Sequence, residues 1–358
     1  MKEKFNLILA RYYDSKGHQK KNIQSGGLTE IRRNIQEVIG TKASINIGPA
    51  AENFGGETFL AEEIAISLLQ ETKQAFKRCH MLSSQSEVHE NAVQIFDQLT
   101  KALLVDHVDY AIELGLSSIP VGEIRNPPEI SFFEIVDQSS TMVNLLDKLF
   151  NDSLVPLVIS TPKHGDCLQK KKSLTHVLEQ KLDAGLERCL GAITSYVRYL
   201  LTTHQQKTDF KPSNEEILIT NTTTACQKVV RWVGSITEKI RDSLDGHNLE
   251  SVLLDLGLSL HRTIYDHLTK FEYNTIGAMV VICDVNEYRK CVAGFKVPLV
   301  NTLFDTLHTL CKLLQVPPGN LRQVCSGDQL SGLDRNVLGS FIQLRSDFKT
   351  AKLGNQLK

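Results

Sequence analysis

Between Pro162 and Pro212 the chain has no proline, and apolar residues recur at helical spacing through most of that stretch. Leu174, Leu178, Leu182, Leu186, Leu190, Ile193, Val197 and Leu200 fall three or four apart, which lines one face of an α-helix and would scatter over both faces of a strand. At 1.5 Å per residue, roughly 40 residues make a helix about 60 Å long, several times the usual globular length. A helix of that length suits an extended helical scaffold better than a compact enzyme.

The rest of the chain supports an all-α reading: an elongated rod of stacked antiparallel helical bundles. The 358 residues are 41% hydrophobic and 23% charged, enough apolar material for several helical bundles and too much for a disordered chain. Glycine, proline and polar clusters suggest three parts. Residues 1–56 hold the end of a helix, a shorter helix near Leu28–Gly40 and an irregular linker around GPAAENFGG. Residues 57–161 read as a helical bundle: a helix through Phe59–Leu82, a second over Val88–Leu116 and a third over Ser131–Phe150, separated by Pro120 and Pro127-Pro128. Residues 162–358 hold the long helix and further bundles. Their helices are expected from Ser213 or Asn214 to Leu244, through Leu253–Phe271, over Asn274–Ala293 and Pro298–Gln315, near Leu321, and from Leu333 to Lys352. No hairpin signal stands between alternating strands, and no fixed 33–50-residue repeat is visible.

Charge and targeting signals narrow the partners. Forty Lys and Arg against 41 Asp and Glu leave a net charge of -1, which argues against nucleic acid as the partner. The longest strongly apolar run, Ala278–Cys283, is far short of the ~20 residues of a transmembrane helix. The start carries no secretory signal pattern. Eight scattered cysteines without a CxxC pattern read as reduced thiols of a cytoplasmic protein, so the sequons at Asn151 and Asn221 are discounted.

The chemistry-bearing residues form no catalytic, cofactor or metal constellation. His308 and Cys311 share a helix face but lack a second pair of ligands, and read as core. Cys79 and His80 are adjacent and point about 100° apart on a helix, unsuited to a nucleophile and its base. His261 and His267, six apart, leave one helix face. Gly26-Gly27 and Gly55-Gly56 lack the spacing of phosphate loops. The strongest basic cluster is Lys170, Lys171 and Lys172 with Lys163 nearby, a candidate interaction patch for anionic lipid; the plainer reading is a solvated helix start.

Several blocks carry a resemblance. RYYDSK (Arg11–Lys16), GETFL (Gly56–Leu60), LLQETKQAFKRCH (Leu68–His80), CLQKKK (Cys167–Lys172), KTDFKP (Lys207–Pro212), ICDVNEYRKC (Ile282–Cys291), LFDTLHTLCKLL (Leu303–Leu314) and NLRQVCSG (Asn320–Gly327) together resemble the exocyst complex component five family, the "Sec ten" subunit. They follow one another in order over almost the whole chain. Family members begin with a long coiled-coil region, and the likeness starts in what would be the middle of such a protein. It therefore reads as a fragment or a truncated gene model.

The resemblance implies a non-enzymatic subunit of the octameric exocyst, which tethers secretory vesicles to the plasma membrane before fusion. It implies the other exocyst subunits as partners, notably component six, and peripheral membrane association through the complex. The location expected from it is the cytoplasm, with recruitment to vesicle and plasma-membrane sites. It transfers no catalytic residue and no cofactor. A second reading is a helical regulator or effector of a small GTPase, for which Arg125, on an expected loop, is the one suggestive residue.

Overall fold

A computed structural model describes residues 1–16, 60–213, 222–327, 330 and 332–355. Among these the secondary structure is helical, and the one extended pairing is an isolated parallel bridge between Tyr273 and Arg345. The shorter helix expected near residues 28–40 and the linker that follows lie outside the described residues.

The chain divides into two compact units: Met1–Ser118 with Glu134–Asp183, and Ile119–Phe133 with Ala184–Lys358. In the first, α1 (Lys2–Ser15) lays Phe5, Leu9 and Tyr13 against α2 (Glu62–Leu82) and its neighbours. Helix α2 buries Ala65, Leu68, Leu69, Thr72, Ala75, Phe76 and Cys79, the stripe its spacing predicts, and begins with Glu62 and Glu63 at the positive end of its dipole. Next comes a helix without a break but with a change of winding: α3 (Val88–Thr100), a π-helical segment π1 (Lys101–Asp109) and α4 (Tyr110–Ser118). The same pattern follows in α5 (Phe132–Leu149), π2 (Phe150–Leu154) and the one-turn α6 (Val155–Val158). Phe96 and Phe150, both fully buried, meet with ring centroids 5.4 Å apart.

The long helix α7 (Lys163–His204) is continuous for 42 residues, as its proline-free sequence predicts, and passes from one unit into the other. Its buried line differs from the leucine row. Leu174, Leu182, Leu186 and Leu190 are half-buried, while Cys167, Lys171, Leu178, Gly185, Cys189, Ile193 and Val197 are buried. Gly185 explains part of this: a Cβ there would stand 2.1 Å from Cζ of Phe132, so a missing side chain makes room for a ring.

In the second unit α8 (Thr224–Ser243), α9 (Gly246–Leu268), α10 (Thr275–Ala293) and α11 (Pro298–Lys312) form the core, followed by the short α12 (Leu321–Cys325) and α13 (Arg335–Gln343). Val229, Val233 and Ile240 of α8, Leu256 and Leu260 of α9, Val281 and Val285 of α10, and Phe304 and Leu307 of α11 are all buried in this core, where α10 packs on both α8 and α11. Two glycines mark close approach. A Cβ on Gly257 would press to 2.4 Å from Val300, and one on Gly277 would overlap the Phe210 carbonyl oxygen at 1.7 Å.

Two helix bounds differ from expectation. The helix expected from Ser213 or Asn214 starts at Thr224, because Thr223 is extended and its hydroxyl accepts from the Cys226 amide, making it the N-cap; residues 214–221 lie outside the described set. The helix expected over Leu333–Lys352 stops at Gln343. There the Tyr273 amide donates to Leu344 O and the Ser346 amide to Tyr273 O, each at 2.8 Å, so backbone groups that would continue the helix are already taken. Arg345, buried beside them, donates to the carbonyl oxygens of Leu313 (3.1 Å) and Val316 and holds both oxygens of Asp347 at 2.8 Å.

Candidate functional site

The four lysines singled out from sequence all sit on the first turns of α7, and three of them are occupied within the first unit. Lys163 pairs with Glu90 at 3.0 Å, Lys170 with Asp97 at 2.7 Å, and Lys171 with Asp147 at 2.6 Å. Lys171 is itself buried, with its ammonium 4.6 Å from the centroid of the Phe150 ring, so its charge is held between a carboxylate and an aromatic face. Lys172 is exposed and has no ion pair among the described residues. Three of the four are thus ion-paired within the first unit, Lys171 in a buried position and Lys163 and Lys170 at the surface, while Lys172 is exposed without such a pair among the described residues.

A fifth lysine, missed from sequence because it lies outside the basic run, completes the pattern. Lys181 reaches Asp109 at 2.5 Å and Glu113 at 2.7 Å. Burial works against its charge, but the two carboxylates outweigh that and raise its pKa. Glu90 also raises the pKa of Lys163. Partners rise together along both helices, from Glu90 and Lys163 to Asp109 and Lys181, so α3–π1–α4 and α7 run parallel and are joined by a ladder of charges.

The register of that ladder accounts for the change of winding. Lys163 and Lys170 are seven residues apart, as are Glu90 and Asp97. Lys170 and Lys181 are eleven apart, yet Asp97 and Asp109 are twelve apart. The acidic strand of the ladder therefore spends one more residue than the basic one, and the interval contains π1. A π-bulge is such an insertion: one extra residue carried in an otherwise α-helical turn. Without it Val108 would stand where Asp109 does, and every later side chain would be turned by about 100°.

Other sequence candidates resolve into packing. The Cys79 thiol lies 3.6 Å from the Val88 carbonyl oxygen and is buried, while His80 is exposed. His261 packs edge-on against Phe304, and His267 against Phe271; burial lowers the His267 pKa to about 4, leaving it neutral. His308 and Cys311 are buried on α11, and burial pushes the Cys311 thiol far above its ordinary range. Arg125 is exposed beside Glu123 at 3.4 Å. Among the described residues no three His, Cys, Asp or Glu are grouped to hold a metal ion, and no helix is long and apolar enough to cross a membrane. A shallow groove of the first unit is lined by Tyr12, Glu62, Glu63, Glu134 and Asp137; burial raises the Glu134 pKa.

Comparison with known proteins gives a consistent result. The α-helical bundle of Sec10-like exocyst complex components matches residues 3–357. Exocyst complex component 5 of Homo sapiens is 47% identical over 353 residues, covering 99% of this chain and 49% of the human protein. Its Drosophila melanogaster counterpart is 47% identical over 355 residues, with the same two coverages. That of Caenorhabditis elegans is 35% identical over 345 residues, 96% of this chain and 50% of the nematode protein. The chain spans about half the length of the curated relatives it matches.

Proposed function

Because the chain belongs to the Sec10-like exocyst component family, we propose that it serves as a helical, non-enzymatic scaffold of the exocyst in the tethering and docking of secretory vesicles at the plasma membrane. The single observation that carries this reading is identity near one residue in two, sustained over 99% of the chain, to relatives named exocyst complex component 5. The fold supports it. A 42-residue helix and two helical units offer faces on which other subunits can pack, and the sharply perturbed groups named above are buried ones. The partners in this reading are the other exocyst subunits, component six among them, met in the cytoplasm and carried to vesicle and plasma-membrane sites through the complex. The basic patch enters it in reduced form: Lys172 is exposed and unpaired among the described residues, Lys163 and Lys170 lie at the surface but are already paired with Glu90 and Asp97, and Lys171 is buried against Asp147.

A chimaera tests the reading. The matching half of human exocyst complex component 5 is replaced by this chain and expressed in cells depleted of their own copy. Recovery of the other subunits with the chimaera, and of cargo secretion, is expected. A stably expressed chimaera that recovers neither overturns the proposal.

A further inference from the structure

The second unit buries a carboxylate that the scaffold role does not require. Asp284, on α10, is 1% exposed, and no cation is paired with it among the described residues. Its Oδ1 accepts the Thr223 amide and its Oδ2 the Thr223 hydroxyl, both at 2.7 Å. The hydroxyl oxygen also accepts the Cys226 amide at 3.2 Å as the N-cap of α8, and it stands 3.4 Å from Oε1 of Gln205, just beyond the end of α7. Gln205 is fixed in turn, because its Nε2 donates to Asp209 at 2.7 Å. Three elements, the end of α7, the start of α8 and the middle of α10, are thus joined through one hydroxyl group.

A threonine hydroxyl has one proton to donate and can accept twice. While Asp284 is ionised, the proton goes to the carboxylate and the Gln205 oxygen receives nothing from it. If Asp284 carries a proton, that proton is donated to the Thr223 oxygen, and the hydroxyl's own proton is released to Gln205. We propose that Asp284, Thr223 and Gln205 form a proton-operated latch, in which proton uptake by Asp284 redirects the Thr223 hydroxyl and tightens the end of α7 onto the start of α8.

The surroundings favour uptake. The groups facing Asp284 are Cys226 and Thr223 from α8, Cys311 from α11, Tyr288 on its own helix, Tyr273 before it, and Asp209 after α7. The thiols and phenols are neutral near pH 7, and Asp209 repels a second negative charge. Burial is the largest influence on Asp284 and raises its pKa to about 7, against the hydrogen bonds from Thr223 and Cys226 that lower it. The sign follows. Between the ordinary carboxylate value of 3.8 and about 7 the folded unit holds a proton that the unfolded chain has released, so stability is lost as pH rises through that window and is flat above it.

The test is a carboxyl carbon-13 titration of the full chain, with Asp284 assigned by the disappearance of its signal in Asp284→Asn. A midpoint near pH 7 is expected for the unmodified chain, and a midpoint in the ordinary carboxylate range overturns the latch. Gln205→Leu, which removes the second acceptor, is expected to lower the midpoint by about half a unit or more, the worth of one hydrogen bond to the protonated form; an unmoved midpoint would mean that the hydroxyl does not switch. If Asp284→Asn folds, the folding constant of the unmodified chain relative to it should fall about tenfold per pH unit from pH 5 to 7. A constant ratio overturns the proposal as well.

Discussion

Deleting one residue should have opposite consequences at two places that look equivalent in sequence. Val105 lies in π1 and Val177 in α7, both more than a third exposed and both between rungs of the ladder, 42% and 46% respectively. Removing Val105 takes out the extra residue, lets π1 rewind as α-helix and sets the second and third rungs eleven positions apart on both helices. The flanking residues keep their faces, and the expected loss is below about 1 kcal/mol. Removing Val177 leaves ten residues facing twelve and turns everything after it by about 100°. Leu178, Cys189, Ile193 and Val197, each 4% exposed or less, would leave the core. At about 2 kcal/mol for each of Leu178, Ile193 and Val197 the ceiling is about 6 kcal/mol, comparable with the whole stability of a domain. Urea unfolding followed by far-ultraviolet circular dichroism measures both. A folded Val105 deletion beside an unfolded or aggregated Val177 deletion is expected; equal damage from the two would refute the one-residue insertion.

Other substitutions test further parts of the structure. Lys181→Met should cost about 1.5 kcal/mol, the low end for hydrogen bonds to charged groups because the lysine is partly screened by solvent, and the loss should shrink in a background where Asp109 and Glu113 are already Asn and Gln. Gly277→Ala places a methyl group on the Phe210 carbonyl and should cost at least about 3 kcal/mol in the same urea assay, whereas Gly234→Ala, with open space around it, should be neutral or stabilising. Arg345→Leu strips two carbonyl oxygens of their donor and should lower the melting temperature by several degrees. Asp347 is held below its ordinary pKa by hydrogen bonds from Arg345, so the stability this pair contributes is present above about pH 4 and lost on further acidification; that acid limb should vanish in Asp347→Asn.

What was readable in the sequence was whatever depends on spacing alone. The α2 stripe from Ala65 to Cys79 and the proline-free α7 follow from a 3.6-residue period and from the absence of a breaker. The π segments were not readable, since an inserted residue leaves composition unchanged and shows only when Asp97 and Asp109 are set against Lys170 and Lys181. Nor was the end of α13, which is set by Tyr273 pairing across 71 positions rather than by a local stop signal. The lysine cluster was readable as charge but not as a set of paired groups, because Glu90, Asp97 and Asp147 are distant in sequence. Asp284 stood inside a quoted family block, but its burial beside the cap of α8 depends on how α8 and α10 pack.

The proposed scaffold role requires this half of the family's length to carry faces that bind other exocyst subunits, which size-exclusion chromatography of the purified chain with the remaining subunits examines without intermediaries. Full-length exocyst complex component 5 serves as the control. The 358-residue chain is expected to elute with the other subunits. If the full-length control co-elutes while the folded chain runs alone, partner binding belongs to the part of the relatives that this chain does not match, and the proposed role is contradicted.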